Sequence, residues 1–260
     1  MLKKHEVLPR LDKECLLAFV LKKKREFIVS HPKKTLSLFS YLRYKKLIRK
    51  RISGIPLAYL TKEKDFFGLA FLVNQHTLIP RPDTEIMVEK TLEYLKHNET
   101  LVDIGTGSGC VPIAIAHTAQ KEQKHLIVHA VDISKKALDI VRKNARKHGV
   151  EITTHHGHLL EPIKKLLLRD VSCITITANL PYLTEKQFTQ EPSIQYEPKD
   201  ALVAEDGGLA LYKELLKQIK EWGDRPKTIR FFFEIDPTQG HKLQQHIVNM
   251  FPKSNVLIEL

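Results

Sequence analysis

Apolar positions along the first fifty residues fall at helical spacing. Leu11, Cys15, Leu16, Phe19, Val20 and Phe27 recur along one segment, Leu11 to Val29, and the pattern resumes from Leu36 to Ile48. His31-Pro32 separates the two, because a residue before proline is steered out of the helical region. A breaker cluster, Ser53-Gly54-Ile55-Pro56, closes this helical segment. The pattern then changes period. Phe66 to Val73 and Thr77 to Ile79 read as two strands of a β-hairpin around an Asn74-Gln75-His76 turn. In the Ile79-Pro-Arg-Pro-Asp-Thr-Glu85 loop two prolines stiffen the chain, and Asp83 or Thr84 is placed to cap a helix running to about Lys96.

Beyond residue 100, strands and helices alternate. Strands are expected at about 100–104, 126–131, 151–155, 172–178, 228–235 and 255–259, and helices near 110–119, 135–148, 160–168, 207–222 and 237–249. Near-continuous apolar strands alternating with helices predict an α/β fold, a mostly parallel sheet covered on both faces. The expected organisation is a helical domain over 1–53, a hairpin linker over 54–82 and the α/β domain over 83–260. No internal repeat or low-complexity segment interrupts it.

Composition changes this picture mainly through charge. A hydrophobic fraction of 42% and a charged fraction of 28% suit a soluble globular protein. The net charge of +12 is concentrated at one end, since residues 1–53 carry 16 Lys and Arg against 4 Asp and Glu and the remaining 207 carry 26 of each. Such a basic face attracts polyanions or acidic protein surfaces, or simply keeps a helical face solvated. No apolar run approaches the roughly 20 residues of a membrane helix, and the start lacks the pattern of a secretory signal. A cytoplasmic location is therefore expected. Cys15, Cys110 and Cys173 lie far apart with no Cys-x-x-Cys pair, which fits neither a disulfide framework nor a zinc site. His155-His156-x-His158 has no matching carboxylate, and no metal is assigned to it.

Two strand-end loops carry the candidate chemistry. Gly105-Thr106-Gly107-Ser108-Gly109 follows a strand and opens a helix, the context that gives a glycine loop meaning. The main chain can approach a ligand there without a Cβ in the way, and the helix start offers free N–H groups. A dinucleotide fingerprint places its last glycine five residues after the first; here Gly109 follows after four and Cys110 takes the fifth place. Asp132, after the strand His125 to Val131, is placed to accept ribose hydroxyls or to cap the helix beginning at Ser134. A nucleoside held without phosphates fits S-adenosylmethionine (SAM).

The second loop, Asn179-Leu180-Pro181-Tyr182, ends an apolar run over 173–178. Pro181 pushes Leu180 toward an extended conformation, which directs the Leu180 carbonyl and the Asn179 side chain to one side of the turn. An amide or exocyclic nitrogen is a poor nucleophile because its lone pair is delocalised. Two acceptors gripping its hydrogens localise that pair toward a methyl group, and Tyr182 can stack on the planar group. The implied chemistry is methyl transfer to nitrogen by positioning and electrostatics, without a covalent intermediate. An ordinary turn after a strand is the plain reading of the same residues.

These residues resemble the release-factor glutamine N5-methyltransferases, the PrmC/HemK family of class I (Rossmann-like) SAM-dependent enzymes. The likeness runs through Asp12–Ala18, Arg51–Tyr59, Phe67-Gly68, Leu78–Glu85, Asp103–Gly109, Asn179–Tyr182, Tyr196–Val203, Asp206-Gly207 and Phe233–Gly240. Ile79–Glu85 and Tyr196–Val203 are its most specific parts. The resemblance implies SAM over Gly105–Gly109 with Asp132 at the ribose and His158 and Leu159 near the adenine. It implies a monomer acting on the glutamine of the Gly-Gly-Gln motif of class-1 peptide release factors. Asn179 and Tyr182 would hold the carboxamide, Asn179 also facing the cofactor, and the helical domain would dock the factor. Three departures stand out. Leu180 replaces the first proline of the family's Asn-Pro-Pro-Tyr, which also brings the turn close to that of rRNA adenine dimethyltransferases. Gly157-His158-Leu159-Leu160 stands where an acidic residue usually contacts adenine. The sequence ends at Val256–Leu260, where the family has a further turn and a final antiparallel strand. Amino-group methylation of rRNA or DNA, of the N6-adenine type, and SAM binding without catalysis are the competing readings.

Overall fold

A computed structural model describes residues 8–167, 171, 173–223 and 228–259. The chain starts with α1 (Arg10–Leu21), α2 (Arg25–Ser30), α3 (Leu38–Ile52) and α4 (Leu57–Thr61). The single helix expected from Leu11 to Val29 is two. Lys22 takes the left-handed conformation (φ 52), its N–H returning to the Phe19 carbonyl, because Lys22-Lys23-Lys24 offers no apolar side chain to bury. Arg51 Nε on α3 donates to Asp12 Oδ2 on α1 at 2.7 Å. The rest of α3 buries nothing, and its Leu38, Phe39 and Leu42 are exposed.

The hairpin also differs from expectation. It pairs β1 (Glu63–Phe66) with β2 (Leu69–Leu72), and its turn is Phe67-Gly68. Both turn residues have positive φ, 49 and 71, the conformation whose twist matches the flanking strands. Phe66 and Phe71 then point inward on either side of it, packed edge-on 6.0 Å apart. Asn74–His76 is a local loop with no strand after it: Asn74 Oδ1 accepts the His76 N–H, and Thr77 Oγ1 accepts the Asn74 N–H.

After α5 (Thr84–Tyr94) come β3 (Glu99–Ile104), α6 (Cys110–Lys121), β4 (Leu126–Asp132), α7 (Lys135–His148) and β5 (Thr153–His156). The chain continues through α8 (Lys164–Leu167), β6 (Cys173–Ala178), α9 (Glu185–Gln190), α10 (Glu205–Gly208), α11 (Ala210–Lys220), β7 (Thr228–Phe233) and α12 (Gly240–Met250). The five long-range strands form one parallel sheet in the order β5-β4-β3-β6-β7. Alternation along β3 sends Val102 and Ile104 to a core with Tyr212, Leu215 and Leu216 of α11 and Leu243 of α12. Leu101 faces the other core, where Met87, Ile113 and Ala145 meet the hairpin's Phe66 and Phe71. Both faces are covered, which is why β3 is buried along its whole length.

Three further expectations are corrected. The helix placed at 207 starts at Ala210, because Asp206, Gly207 and Gly208 are all left-handed (φ 53, 64 and 87). The helix placed over 160–168 is a short turn, Glu161–Ile163, followed by α8; residue 168 lies outside the described residues, as does 172 at the start of the expected 172–178 strand. No strand forms over 255–259. The Val256 carbonyl there accepts from the Gln244 side chain at 3.2 Å, and Glu259 pairs with Lys90 of α5, so that segment lies against helices and β7 is the sheet edge among the described residues.

From β3 the chain adds strands outward through β4 to β5, then crosses back to add β6 and β7 on the other side. The strand order therefore reverses between β3 and β6, and such a reversal opens a crevice at the carboxyl ends of the strands. Ile104 pairs with Ala178 in register, so Gly105 and Asn179 leave the sheet side by side.

Candidate active site

The glycine loop is held from beneath by Asp132 at the end of β4. Its Oδ2 accepts the Gly107 N–H at 2.9 Å and its Oδ1 the Ser134 N–H at 2.8 Å. Ser134, not Asp132, caps α7, accepting from the Ala137 N–H. Each carboxylate oxygen of Asp132 keeps a lone pair for a hydroxyl. Burial raises the Asp132 pKa, and the two N–H donors oppose it. Gly109 opens α6 at φ 77, and a Cβ there would lie 3.0 Å from both Ile113 and Val141, so loop and helices pack too closely for a side chain. Thr106 Oγ1 and Ser108 Oγ are buried with no partner in hydrogen-bonding geometry.

Asp103 was not among the expected site residues. It is a buried acid set among the apolar Leu101, Val102 and Ile104 of β3, and that interruption was the signal available. Thr177 Oγ1 on β6 donates to Asp103 Oδ1 at 2.6 Å, yet burial pushes the carboxyl up to about 7. Since the folded pKa exceeds the unfolded one, folding favours the protonated form. The associated stability is complete below pH ~4 and is lost as pH rises toward 7. Asp103→Asn, which retains the acceptor for Thr177, escapes that loss. Its stability relative to wild type is expected to improve by about 2–3 kcal/mol between pH 5 and pH 8. Denaturant midpoints at the two pH values measure this, and a constant difference would contradict the buried acid.

The Asn179–Tyr182 turn is gripped from several elements. Asn179 Nδ2 donates to Thr84 Oγ1 at the start of α5 at 3.2 Å. The Leu180 N–H donates to the Tyr212 hydroxyl of α11 at 2.9 Å, and that hydroxyl donates in turn to the Glu234 carbonyl. With its single proton so used, Tyr212 leaves the Leu180 carbonyl, 3.4 Å away, an open acceptor. Gln239 Nε2 donates to the Tyr182 and Gly207 carbonyls at 2.8 and 2.6 Å. Leu180 and Pro181 are buried while Asn179 and Tyr182 are half-buried. Burial, then the charge of Glu234, pushes the Tyr182 hydroxyl up to about 12. Leu180 Cδ2 lies 3.0 Å from the point a Cβ on Gly105 would occupy, so the two loops touch.

The Ile79–Glu85 and Tyr196–Val203 segments meet through one buried carboxylate. Glu197 accepts from the Ile79 N–H at 2.9 Å and pairs with Arg81. Beside it the Tyr196 hydroxyl donates to the Ser53 carbonyl, tying this face to the end of α3. Elsewhere the expected residues are engaged differently. His158 Nε2 pairs with Glu214 Oε1 of α11 at 2.8 Å, and the Leu159 side chain is buried in the core. His155 faces His129 at 3.0 Å and His156 Nε2 meets the Ile133 carbonyl, so the three rings are directed to separate partners. All three cysteines are free thiols; burial raises each, Cys110 to about 12.

A parallel sheet reversed between its first and fourth strands, with a glycine loop after one and this turn after the other, defines a class I methyltransferase. The catalytic domain of hMettl16, solved in complex with the MAT2A 3′UTR hairpin, shares the fold with a TM-score of 0.56 at 16% identity, over 72% of this chain and 68% of that one. The PrmC N-terminal domain family matches residues 1–61, and the methyltransferase small domain family matches residues 82–189. A release factor glutamine methyltransferase of Bacillus cereus is 31% identical over 251 residues, covering 94% of this chain and 85% of the relative. One from Enterococcus faecalis is 36% identical over 213 residues (80% and 72%), and one from Coxiella burnetii 35% over 218 (82% and 75%). The chain belongs to the release factor glutamine methyltransferase family.

Proposed function

We propose that the protein transfers the methyl group of SAM to the side-chain amide nitrogen of the glutamine in the Gly-Gly-Gln motif of class-1 peptide release factors. The observation that carries this reading is the turn beside Gly105, where Asn179 has its NH₂ tied inward and the Leu180 carbonyl stays open. With its amide nitrogen at Thr84, Asn179 presents Oδ1 outward. Oδ1 and the carbonyl then form a pair of acceptors for the two hydrogens of a planar amide. Gripping both draws the nitrogen lone pair out of conjugation, and Tyr182 supports the flat group from its side. Preorganised acceptors of this kind need no rearrangement during the reaction.

SAM, when bound, supplies a methyl group on a positively charged sulfur. The residues present suit it. The unpartnered Thr106 and Ser108 hydroxyls and the spare lone pairs of Asp132 offer polar contacts. Asp103 and Asp132 are both buried and both raised, and among the described residues neither is paired with a Lys or Arg, so a cationic ligand would suit them. Asp132→Ala is expected to weaken SAM binding by about 10- to 100-fold, the worth of a charge-assisted hydrogen-bond pair; calorimetric titration measures it, and unchanged affinity would remove Asp132 from the site. Residues 1–53 act in this reading as the docking domain and 54–82 as its linker to the catalytic domain, 83–260. The exposed, basic α3 and the Tyr196–Ser53 bond support that division. Among the described residues no helix is long and apolar enough to cross a membrane.

Incubation with labelled SAM and a release factor tests the proposal. Label should enter the factor and vanish when its Gly-Gly-Gln glutamine is replaced. Label entering rRNA or DNA instead would favour amino-group methylation of nucleic acid.

A further inference from the structure

Glu234 follows the last residue of β7 and is pinned by its main chain on both sides. Its N–H donates to the Ala178 carbonyl at 3.1 Å, and its own carbonyl accepts from Tyr212. The side chain is thereby aimed under the Asn179 turn, where Thr84, Asn179 and Tyr182 surround it. Its Oε2 is buried with no partner in hydrogen-bonding geometry, and no basic side chain pairs with the carboxylate among the described residues. Burying an unpaired carboxylate is costly, and neither the sheet nor the core requires one there. Such a group at the edge of a reaction site points to a role in the chemistry.

We propose that Glu234 is a positioning residue: its carboxylate, together with the Thr84 hydroxyl, captures the Asn179 NH₂ and turns Asn179 Oδ1 toward the substrate amide. The proposal deepens the glutamine-methylation reading and rests on it. An asparagine side chain is nearly symmetric in shape, and only its hydrogen-bond partners decide which end faces outward. A reversed Asn179 would present hydrogens to the substrate's own hydrogens. Thr84 alone cannot fix the choice, since a hydroxyl both donates and accepts. Glu234 as an anion only accepts. It therefore also orders the neighbouring Thr84, whose hydroxyl accepts from Asn179.

The arrangement has a pH signature. Burial raises the Glu234 pKa above the ordinary glutamate range, and the nearby Asp83 carboxylate adds to the shift. Tyr182, Tyr212 and the Cys110 thiol also face this charge from the turn, α11 and α6, all three raised and therefore neutral at moderate pH, while Arg81 and Asp236 reach it at one remove through Tyr182. Protonating Glu234 replaces an acceptor with a donor, releases Asn179 and lowers turnover as pH falls.

The test compares wild type, Glu234→Ala and Glu234→Gln with a release factor at saturating SAM. Glu234→Ala should lose about 100-fold in kcat, the usual cost of a misplaced reacting group, with SAM affinity within threefold of wild type. Glu234→Gln, which like the protonated acid carries a donor beside its acceptor oxygen, should stay at the low level that wild type reaches at acid pH and lack the acid limb of the wild-type kcat profile. Wild-type kcat in Glu234→Ala, an unchanged acid limb in Glu234→Gln, or a parallel loss of SAM affinity would each overturn the proposal. A double-mutant cycle between Asn179→Ala and Glu234→Gln, read by unfolding, is independent of substrate. The two sites should couple by at least about fivefold in the unfolding constant, and additivity would overturn the contact. Should wild type leave the factor unlabelled, the glutamine reading fails while the cycle still decides on Glu234.

Discussion

Asn179→Ala is expected to reduce the kcat of release-factor methylation by about 10³-fold while leaving SAM affinity within a few fold. In the proposed mechanism the substitution removes one of two acceptors from the substrate amide, and losses of this order follow removal of a preorganised hydrogen-bonding group from a developing charge. The Leu180 carbonyl remains, held in place because Tyr212 secures the Leu180 N–H, so a residual rate is expected. The fold should tolerate the change, since Asn179 is half-buried and its one hydrogen bond of normal geometry goes to Thr84. Labelled-methyl transfer and calorimetric titration on the same preparation separate the two effects. Near wild-type turnover would show that the amide is activated by other groups.

Gly208→Ala is expected to destabilise the protein by about 2–5 kcal/mol, combining strained backbone with overpacking. Gly208 has φ 87, and a Cβ on it would fall 1.9 Å from the Tyr182 carbonyl oxygen and 2.3 Å from Gln239 Nε2. Neither neighbour can yield freely. The carbonyl belongs to the turn, and the Gln239 amide is already bonded to both Tyr182 and Gly207. Whatever shift accommodates the methyl group therefore moves the turn, and a displacement near 1 Å costs on the order of 10²-fold in rate. Gly207→Ala is the control, with φ 64 but open space around its Cβ, and it should cost only about 1 kcal/mol. Thermal unfolding of the pair measures the difference. Equal losses would mean that backbone strain, not the contact with Tyr182, decides the outcome.

The parallel sheet was legible because the central residues of β3, β4 and β6 are buried on both faces and therefore read as largely apolar runs. The glycine loop and the Asn-Leu-Pro-Tyr turn were legible because backbone requirements write them locally. The hairpin turn was not. It uses Phe67 at positive φ, a conformation no sequence rule expects of an aromatic residue, and the Phe66–Phe71 packing that supports it is tertiary. The grips on the turn escaped for a related reason. Thr84, Tyr212, Glu234 and Gln239 lie 22 to 95 residues from their partners, each on a different element. None belongs to a motif of fixed spacing around Asn179. The His155–His158 cluster shows the converse, since residues adjacent in sequence point to three different neighbours once β5 is in the sheet.

The seat of Leu180 against Gly105 carries a lesson for chimaeras. Importing an Asn-Pro-Pro-Tyr segment alone would swap an isobutyl group for a compact ring and leave a gap where the two loops now touch. Importing a glycine loop with a bulkier first residue would drive the same leucine outward. Recombination between these loops should therefore yield working enzymes only when both strand ends come from one parent.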